Sequence, residues 1–148
     1  MIEASSVFSG SRFVGTFAAA AGLLAAGWNA LYIWILWHEG EGDLHRTHVR
    51  YLAASVALVA LVLVLSFLLR SPTLRVASLA ASAAALSGFA AIASFSIGIL
   101  LVPAALLAWI ALDRERSIEV GAPHPRAATT GFVVGATISI VFLLLWAA

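Results

Sequence analysis

Four stretches of the 148-residue sequence contain no Asp, Glu, Lys or Arg, and they restrict what the chain can fold into more than any other feature. They are residues 13–37, 51–69, 76–112 and 127–148, with lengths of 25, 19, 37 and 22 residues. A helix needs roughly 20 apolar residues to cross a hydrocarbon core about 30 Å thick. The composition agrees, because 63% of the residues are hydrophobic, only 10% are charged, and the mean hydropathy is +1.06. The sequence therefore predicts an all-α integral membrane protein, a polytopic helical bundle in which residues 1–148 form one domain.

The third stretch is too long for one ordinary span, since 37 residues of helix would extend about 55 Å at 1.5 Å per residue. Its middle, Ser94-Phe95-Ser96-Ile97-Gly98, is small and polar and ends in glycine, which favours a turn between two helices. We therefore favour five transmembrane helices; four, with one long, kinked third helix, are the alternative. The predicted spans are residues 13–37, 51–70, 73–93, 98–113 and 127–147.

The positions of the basic residues favour the same topology. All eight are arginines, which together with abundant alanine indicates a GC-rich bacterial genome. Five spans leave only Arg46 and Arg50 on one side; the other side then holds Arg12, Arg70, Arg75, Arg114, Arg116 and Arg126. Four spans would divide the arginines five against three. Because cytoplasmic loops carry the excess of basic residues, we expect a multi-pass protein of the cell membrane with a cytoplasmic N-terminus and an extracytoplasmic C-terminus.

Small residues recur at the spacings that let helices pack closely in lipid. Gly131 and Gly135 form a GxxxG motif, and in the first span Gly15 and Gly22 alternate with alanines at spacings of three and four. We expect these glycines to pack helices within the chain. Docking of the Gly131/Gly135 face on another subunit is the alternative.

Asn29 is the most polar side chain in the first span. One interpretation is a hydrogen bond to a serine or a backbone carbonyl of a neighbouring helix, worth about 0.6–2 kcal/mol. The other is a ligand site that Asn29 lines together with Trp28 and Tyr32. An apolar ligand such as a lipid, a quinone or a pigment needs no ionisable group, and Phe89 and Phe95 are further aromatic candidates for such a pocket.

The loop between the first two spans is the one chemically rich segment. His45 and His48 are three residues apart and share one face of a helical turn, and His38 closes the first span. Imidazoles together with the carboxylate of Glu39 or Glu41 would suit zinc, copper, nickel or iron. This loop is therefore the candidate metal site, and a metal ion there is the one cofactor that the sequence suggests. Capping of the two helices in water and pH sensing by the histidines are the alternatives.

The second polar segment begins with four alternating charges, Asp113-Arg114-Glu115-Arg116. We expect these residues to extend the fourth helix beyond the membrane, with charges that compensate one another. The sequence Gly121-Ala122-Pro123-His124-Pro125 is typical of a flexible or polyproline-like connector.

Absent residue types and motifs narrow the function. The charge-free stretches contain no His either, which disfavours a proton relay or a voltage sensor. The chain has no cysteine and no Walker A, Rossmann or HExxH motif, and its few cations form no nucleic-acid-binding face. We therefore expect a non-catalytic accessory or assembly subunit that packs against partner membrane proteins or itself, among membrane lipids. The alternatives are a binding or transport module for an apolar ligand, and a metal-dependent sensor or enzyme that uses the first loop.

Overall fold

The computed structural model describes the backbone of residues 3–39, 47–66, 68–92, 98–118 and 125–147, and the side chains of residues 14–38, 50–66, 68–92, 99–117 and 125–144. Within these residues the chain is all-helical and contains no strand. The helices are α1 (Glu3–Glu39), α2 (Thr47–Ser66), α3 (Pro72–Ile92), α4 (Gly98–Ile118) and α5 (Pro125–Ala147).

The long charge-free stretch forms two helices, α3 and α4, instead of one. Arg75, near the start of α3, contacts Glu115, near the end of α4. Later in α3, Ser87 accepts a hydrogen bond of 3.1 Å from the indole N–H of Trp109, which comes earlier in α4. The two helices are therefore antiparallel. The residues between Ile92 and Gly98, where the sequence predicts the turn, lie outside the described part of the chain.

The boundary between α2 and α3 follows from local chemistry. The pair Ser71-Pro72 predicts an N-cap followed by proline at the first helical position, and α3 does begin at Pro72. The carbonyl of Ser71 accepts a hydrogen bond of 3.0 Å from the N–H of Arg75. Helix α2 ends at Ser66, a few residues before the predicted boundary, because i→i+3 bonds such as Leu68 N–H to Leu65 O (2.9 Å) tighten the chain there.

Helices α1 to α4 form a ring, and α5 packs on the outside of α3. Each helix of the ring packs on its neighbour in the chain, and α1 also packs on α4. Helix α5 contacts α3 extensively and α2 only slightly. More than half of the described buried apolar residues are alanines. The helices can therefore approach closely, as small residues allow.

Glycines in α5 bring its backbone against that of α3. A Cβ atom on Gly131 would collide with the backbone carbonyl of Ala77, and one on Gly135 would collide with the backbone carbonyl of Ala81. The predicted GxxxG face thus lies against α3 within the same chain.

The contact between α3 and α5 continues toward the other end of both helices. The hydroxyl of Ser139, four residues beyond Gly135, lies 3.4 Å from the carbonyl oxygen of Ala85. The rings of Phe89 and Phe142 then meet edge to face, with centroids 5.5 Å apart. Because the contacts advance together along both chains, α3 and α5 are parallel.

The helix directions gather most arginines at one end of the bundle. Helices α1 and α2 are antiparallel, since Gly22 lies against Ala60 and Asn29 bonds to Ala53. The starts of α1, α3 and α5 therefore lie together with the ends of α2 and α4. We call this the arginine-rich end; its arginines are Arg12, Arg70, Arg75, Arg114, Arg116 and Arg126.

Among the described residues, three helical segments are long and apolar enough to cross a membrane: Val14–His38, Pro72–Ile92 and Pro125–Leu144. The described apolar part of α2, Arg50–Ser66, is shorter. Helix α4 falls outside this set because its last turns carry the charged residues 113–116.

Candidate functional site

The buried face of α4 ends in a carboxylate. The face is built from small and apolar residues at spacings of one, three and four, which is the period of a helix side that faces a core. Its buried members are Leu101, Ala104, Ala105, Ala108, Ala111 and Leu112. Glu115 continues this series three residues after Leu112 and is only 2% exposed. The helix period therefore directs the Glu115 side chain into the bundle.

Glu115 forms an ion pair with Arg75 of α3. The distance from Arg75 Nη2 to Glu115 Oε1 is 2.8 Å, and the arginine side chain is 25% exposed. Arg75 Nε is buried and has no hydrogen-bond partner among the described residues. The pair joins the start of α3 to the end of α4 and so closes the open end of this hairpin.

This ion pair departs from the expectation for the segment 113–116. Asp113, Arg114 and Arg116 are exposed on the extended helix, as the alternating charges predict, but Glu115 is not. The helix period from Ala108 and Ala111 is the signal in the sequence that could have identified it. The alternation of charge does not distinguish the buried residue of this segment from the three exposed ones.

Arg75 also lines the larger of two described grooves. This arginine groove has a volume of about 700 Å³ and lies between α1, the end of α2 and the start of α3. Its wall is mostly apolar and includes Ala19 and Leu23 of α1 and Leu79 of α3. Ser66 contributes a buried hydroxyl, which donates a hydrogen bond of 2.7 Å to the carbonyl of Leu63. The groove thus combines an apolar wall with one cationic side chain.

Gly15 and Gly22, predicted to pack helices, have different surroundings. Gly15 lines the arginine groove. A Cβ atom on Gly22 would lie 2.8 Å from the carbonyl oxygen of Ala60 and 2.8 Å from a methyl carbon of Val64. Gly22 therefore lies at a close approach of α1 and α2, and Gly15 lies two turns earlier on α1.

The second groove, which we call the Asn29 groove, lies between α1 and α2 and has a volume of about 400 Å³. The side-chain amide of Asn29 donates a hydrogen bond of 3.0 Å to the carbonyl of Ala53 on α2. This bond is the interhelical contact that one interpretation of the sequence proposes. Trp28 and Tyr32 are half-buried and do not line this groove, and Tyr32 packs against the core.

Phe89 packs in the core of the bundle. It is fully buried, contacts Phe142 and lines neither of the two grooves. Phe95, the other aromatic residue proposed for a ligand pocket, lies outside the described residues.

The candidate metal site lies mostly outside the described side chains. His45 and Glu41 are outside the described residues, and Glu39 and His48 are placed only as helix positions at the end of α1 and the start of α2. Among the side chains that the structure describes, no group of three metal-binding residues occurs. The metal site stays a prediction.

His38 is the one member of that site with described contacts. Its Nδ1–H donates a hydrogen bond of 3.0 Å to the carbonyl of Trp34, because a carbonyl can only accept. The two rings lie with centroids 4.3 Å apart. A histidine that binds a metal through one ring nitrogen is commonly held by a hydrogen bond from the other nitrogen, as Nδ1 is held here.

Comparison with known proteins adds no relative. No protein-family model matches the chain, and no curated protein or solved structure is significantly similar to it.

Proposed function

We propose that this protein is a five-span integral membrane protein that serves as a non-catalytic accessory subunit. The observation that carries the membrane placement is the distribution of side-chain sizes. The interior is built mainly from alanine, while Leu, Ile, Val, Phe and Trp side chains on all five helices point outward. Leu23, Leu58 and Leu144, for example, are each at least 60% exposed.

Lipid explains this distribution better than water does. A monomeric soluble protein rarely exposes an apolar patch larger than a few hundred Å², because burying large apolar side chains is what drives its folding. Lipid tails solvate such side chains well, so helices in a bilayer place small residues at their contacts and large ones outside. The described hydroxyls agree, because Ser78, Ser117, Thr129 and Thr137 each donate to a carbonyl three or four residues earlier in their own helix.

The arginine distribution supports the orientation. Six of the eight arginine positions belong to the arginine-rich end, and Arg50 begins the membrane-facing part of α2 at the opposite end. The positive-inside rule then assigns the arginine-rich end to the cytoplasm. The N-terminus would be cytoplasmic, and the end of α5 would lie outside.

The accessory role is supported by the position of α5. This helix packs on α3 and barely on α2, which leaves most of its circumference outside the bundle. Phe132, Val133, Ile140 and Leu144 are exposed there. We propose that the exposed side of α5 packs against a helix of a partner membrane protein.

A crosslinking experiment tests this role in the native membrane. The chain contains no cysteine, so a single introduced cysteine reports on one position. Val133→Cys places the probe on the exposed side of α5, and Leu61→Cys is the matched control on the exposed side of α2. We expect Val133→Cys alone to give one crosslinked product of defined mass. No product, or the same products from both variants, would contradict the accessory role.

A second function, binding of an apolar ligand, is favoured by the Asn29 groove. The groove combines an apolar lining with one amide, the kind of lining that small-molecule sites use. Gentle extraction followed by mass spectrometry of organic-soluble material should then recover one neutral apolar compound. Ala30→Phe would fill the groove, and recovery of the same compound from this variant would contradict the site.

A further inference from the structure

The arginine groove has the dimensions and surface of a site for one lipid chain. Its volume of about 700 Å³ is within the range of ligand pockets, and it is open to the surroundings at Leu23, which is 67% exposed. Leu23 and Leu79 provide apolar contacts in this groove, and Ala19 contributes only a small side chain to its wall. If the bundle is embedded as proposed, lipid tails are the apolar molecules next to this opening.

Arg75 provides a fixed cationic group in the same groove. A guanidinium has five N–H donors, and the ion pair joins Nη2 of Arg75 to Oε1 of Glu115. A quarter of the Arg75 side chain is exposed, whereas Glu115 is almost completely buried. The carboxylate thus holds the guanidinium in place from the core side, and the exposed part remains accessible from the groove. Phosphate oxygens are the acceptors that arginine binds best.

The charge of the surrounding end favours an anion. At the described positions the arginine-rich end carries six arginines and three acidic residues, Glu3, Asp113 and Glu115. Arg70, in the turn between α2 and α3, is exposed. Basic pockets between helices on the cytoplasmic side of a membrane are places where anionic lipid headgroups bind.

We propose that the arginine groove binds one anionic phospholipid, with its phosphate on Arg75 and one acyl chain along Leu23 and Leu79. This proposal rests on the proposed membrane placement. Ser66 also lines the groove and adds a polar atom to its wall.

The test is native mass spectrometry of the purified full-length protein in detergent. Phosphatidylglycerol and phosphatidylcholine with identical acyl chains are titrated separately, and inorganic phosphate is titrated as a third probe. We expect the first bound molecule of phosphatidylglycerol to have an affinity about fivefold higher than that of phosphatidylcholine. This is the gain in affinity expected from one arginine near an anionic headgroup. Equal binding of the two lipids would overturn the proposal. Competition by millimolar inorganic phosphate alone would overturn it too, since a free anion would then be the occupant.

Three variants separate the contributions of the groove and its charge. Ala19→Phe fills the arginine groove and should abolish the tight binding of phosphatidylglycerol. Ala54→Phe is the control, because Ala54 is exposed on α2 and lines neither groove. The double variant Arg75→Met/Glu115→Met keeps the groove and removes both charges, so it should bind both lipids equally. Unchanged preference in Ala19→Phe or in the double variant would contradict the site.

Failure of the lipid site can be distinguished from failure of the membrane placement. Before purification, membranes that contain the protein are tested for its resistance to alkaline extraction, and the purified protein is then tested for its helical circular dichroism signal. Extraction by alkali would contradict the membrane placement itself. A protein that stays in the membrane, is helical and shows no lipid preference would overturn only the lipid site.

Discussion

At the scale of single residues, the ion pair between Arg75 and Glu115 differs most from its surroundings. It lies beside an interior of alanines, and it joins the start of α3 to the end of α4. A buried ion pair costs desolvation energy, so its removal as a unit is often neutral. Removal of one partner leaves an uncompensated charge instead.

Glu115→Ala should therefore destabilise the folded protein by about 3 kcal/mol, the lower end of the range for half of a buried pair, because Arg75 is partly exposed. The free energy of unfolding can be measured by titration with sodium dodecyl sulfate in mixed micelles. Arg75→Met/Glu115→Met should be within about 1 kcal/mol of the unsubstituted protein. If the single and double variants lose equal stability, the charge pairing is not what holds the hairpin closed.

Asn29 allows a second prediction at this scale. Its hydrogen bond to Ala53 joins α1 to α2, and such bonds in membranes average about 0.6 kcal/mol, with a maximum near 1.7. Asn29→Ala should lower the free energy of unfolding by that amount in the same titration. Thr137→Ala is the control, since the Thr137 hydroxyl bonds within its own helix and is exposed. A loss for Thr137→Ala as large as that for Asn29→Ala would contradict the interhelical assignment.

The contacts of Asn29 can be predicted from the sequence to a greater extent than those of Glu115, and the reason is physical. Asn29 is the one amide in an apolar span, so both of its interpretations are visible in the sequence, but the choice of Ala53 as acceptor depends on how α1 crosses α2. Glu115 belongs to a run of four charged residues, and the alternation of their charges predicts that all four face water. Only the position of the α4 core face, which depends on packing against α1 and α3, separates it from its neighbours.

At the scale of helices, α3 connects the two parts of the bundle. It packs on α2 and α4 within the ring and on α5 outside it, and residues 82–86 are all buried. Such a helix needs small residues on several sides, which alanine and serine provide. The sequence identifies the helices and the α3–α4 hairpin well because charges, Ser71-Pro72 and the polar patch interrupt the apolar runs. It does not indicate that α5 packs parallel to α3, since that arrangement depends on which small-residue faces meet.

Gly131 and Gly135 test the contact between α3 and α5. Gly135→Ala and Gly131→Ala should each lower the free energy of unfolding by about 1–3 kcal/mol, because the added methyl group meets a backbone carbonyl that cannot move independently. Gly27→Ala is the matched control, as its Cβ would meet nothing within 4 Å. This control should be neutral or should gain up to about 1 kcal/mol of helix propensity. Equal behaviour of Gly27→Ala and Gly135→Ala would show that α5 does not pack on α3 through this face.

At the scale of the whole molecule, small residues inside and large apolar residues outside reverse the pattern of a soluble domain. This pattern follows from charge-free runs that are rich in alanine. The same runs make the outer surface uniformly apolar. A uniform apolar surface carries little information about its partners. The sequence therefore predicts the helix order and the apolar outer surface far better than it predicts what the protein binds.

The topology is the prediction that depends on the whole chain. With five spans and the arginine-rich end in the cytoplasm, the sides alternate from one connection to the next. Reporters fused after residues 42, 96 and 148 should be extracytoplasmic, and those fused after residues 71 and 121 should be cytoplasmic. Two reporters are fused separately at each position, one active only in the cytoplasm and one active only outside it. At every position the two reporters should give opposite results. Because α3 and α4 are separate antiparallel helices, the position after residue 96 is decisive. A cytoplasmic result there, with residue 148 also cytoplasmic, would mean that α3 and α4 do not both cross and that the arginine balance does not set the orientation.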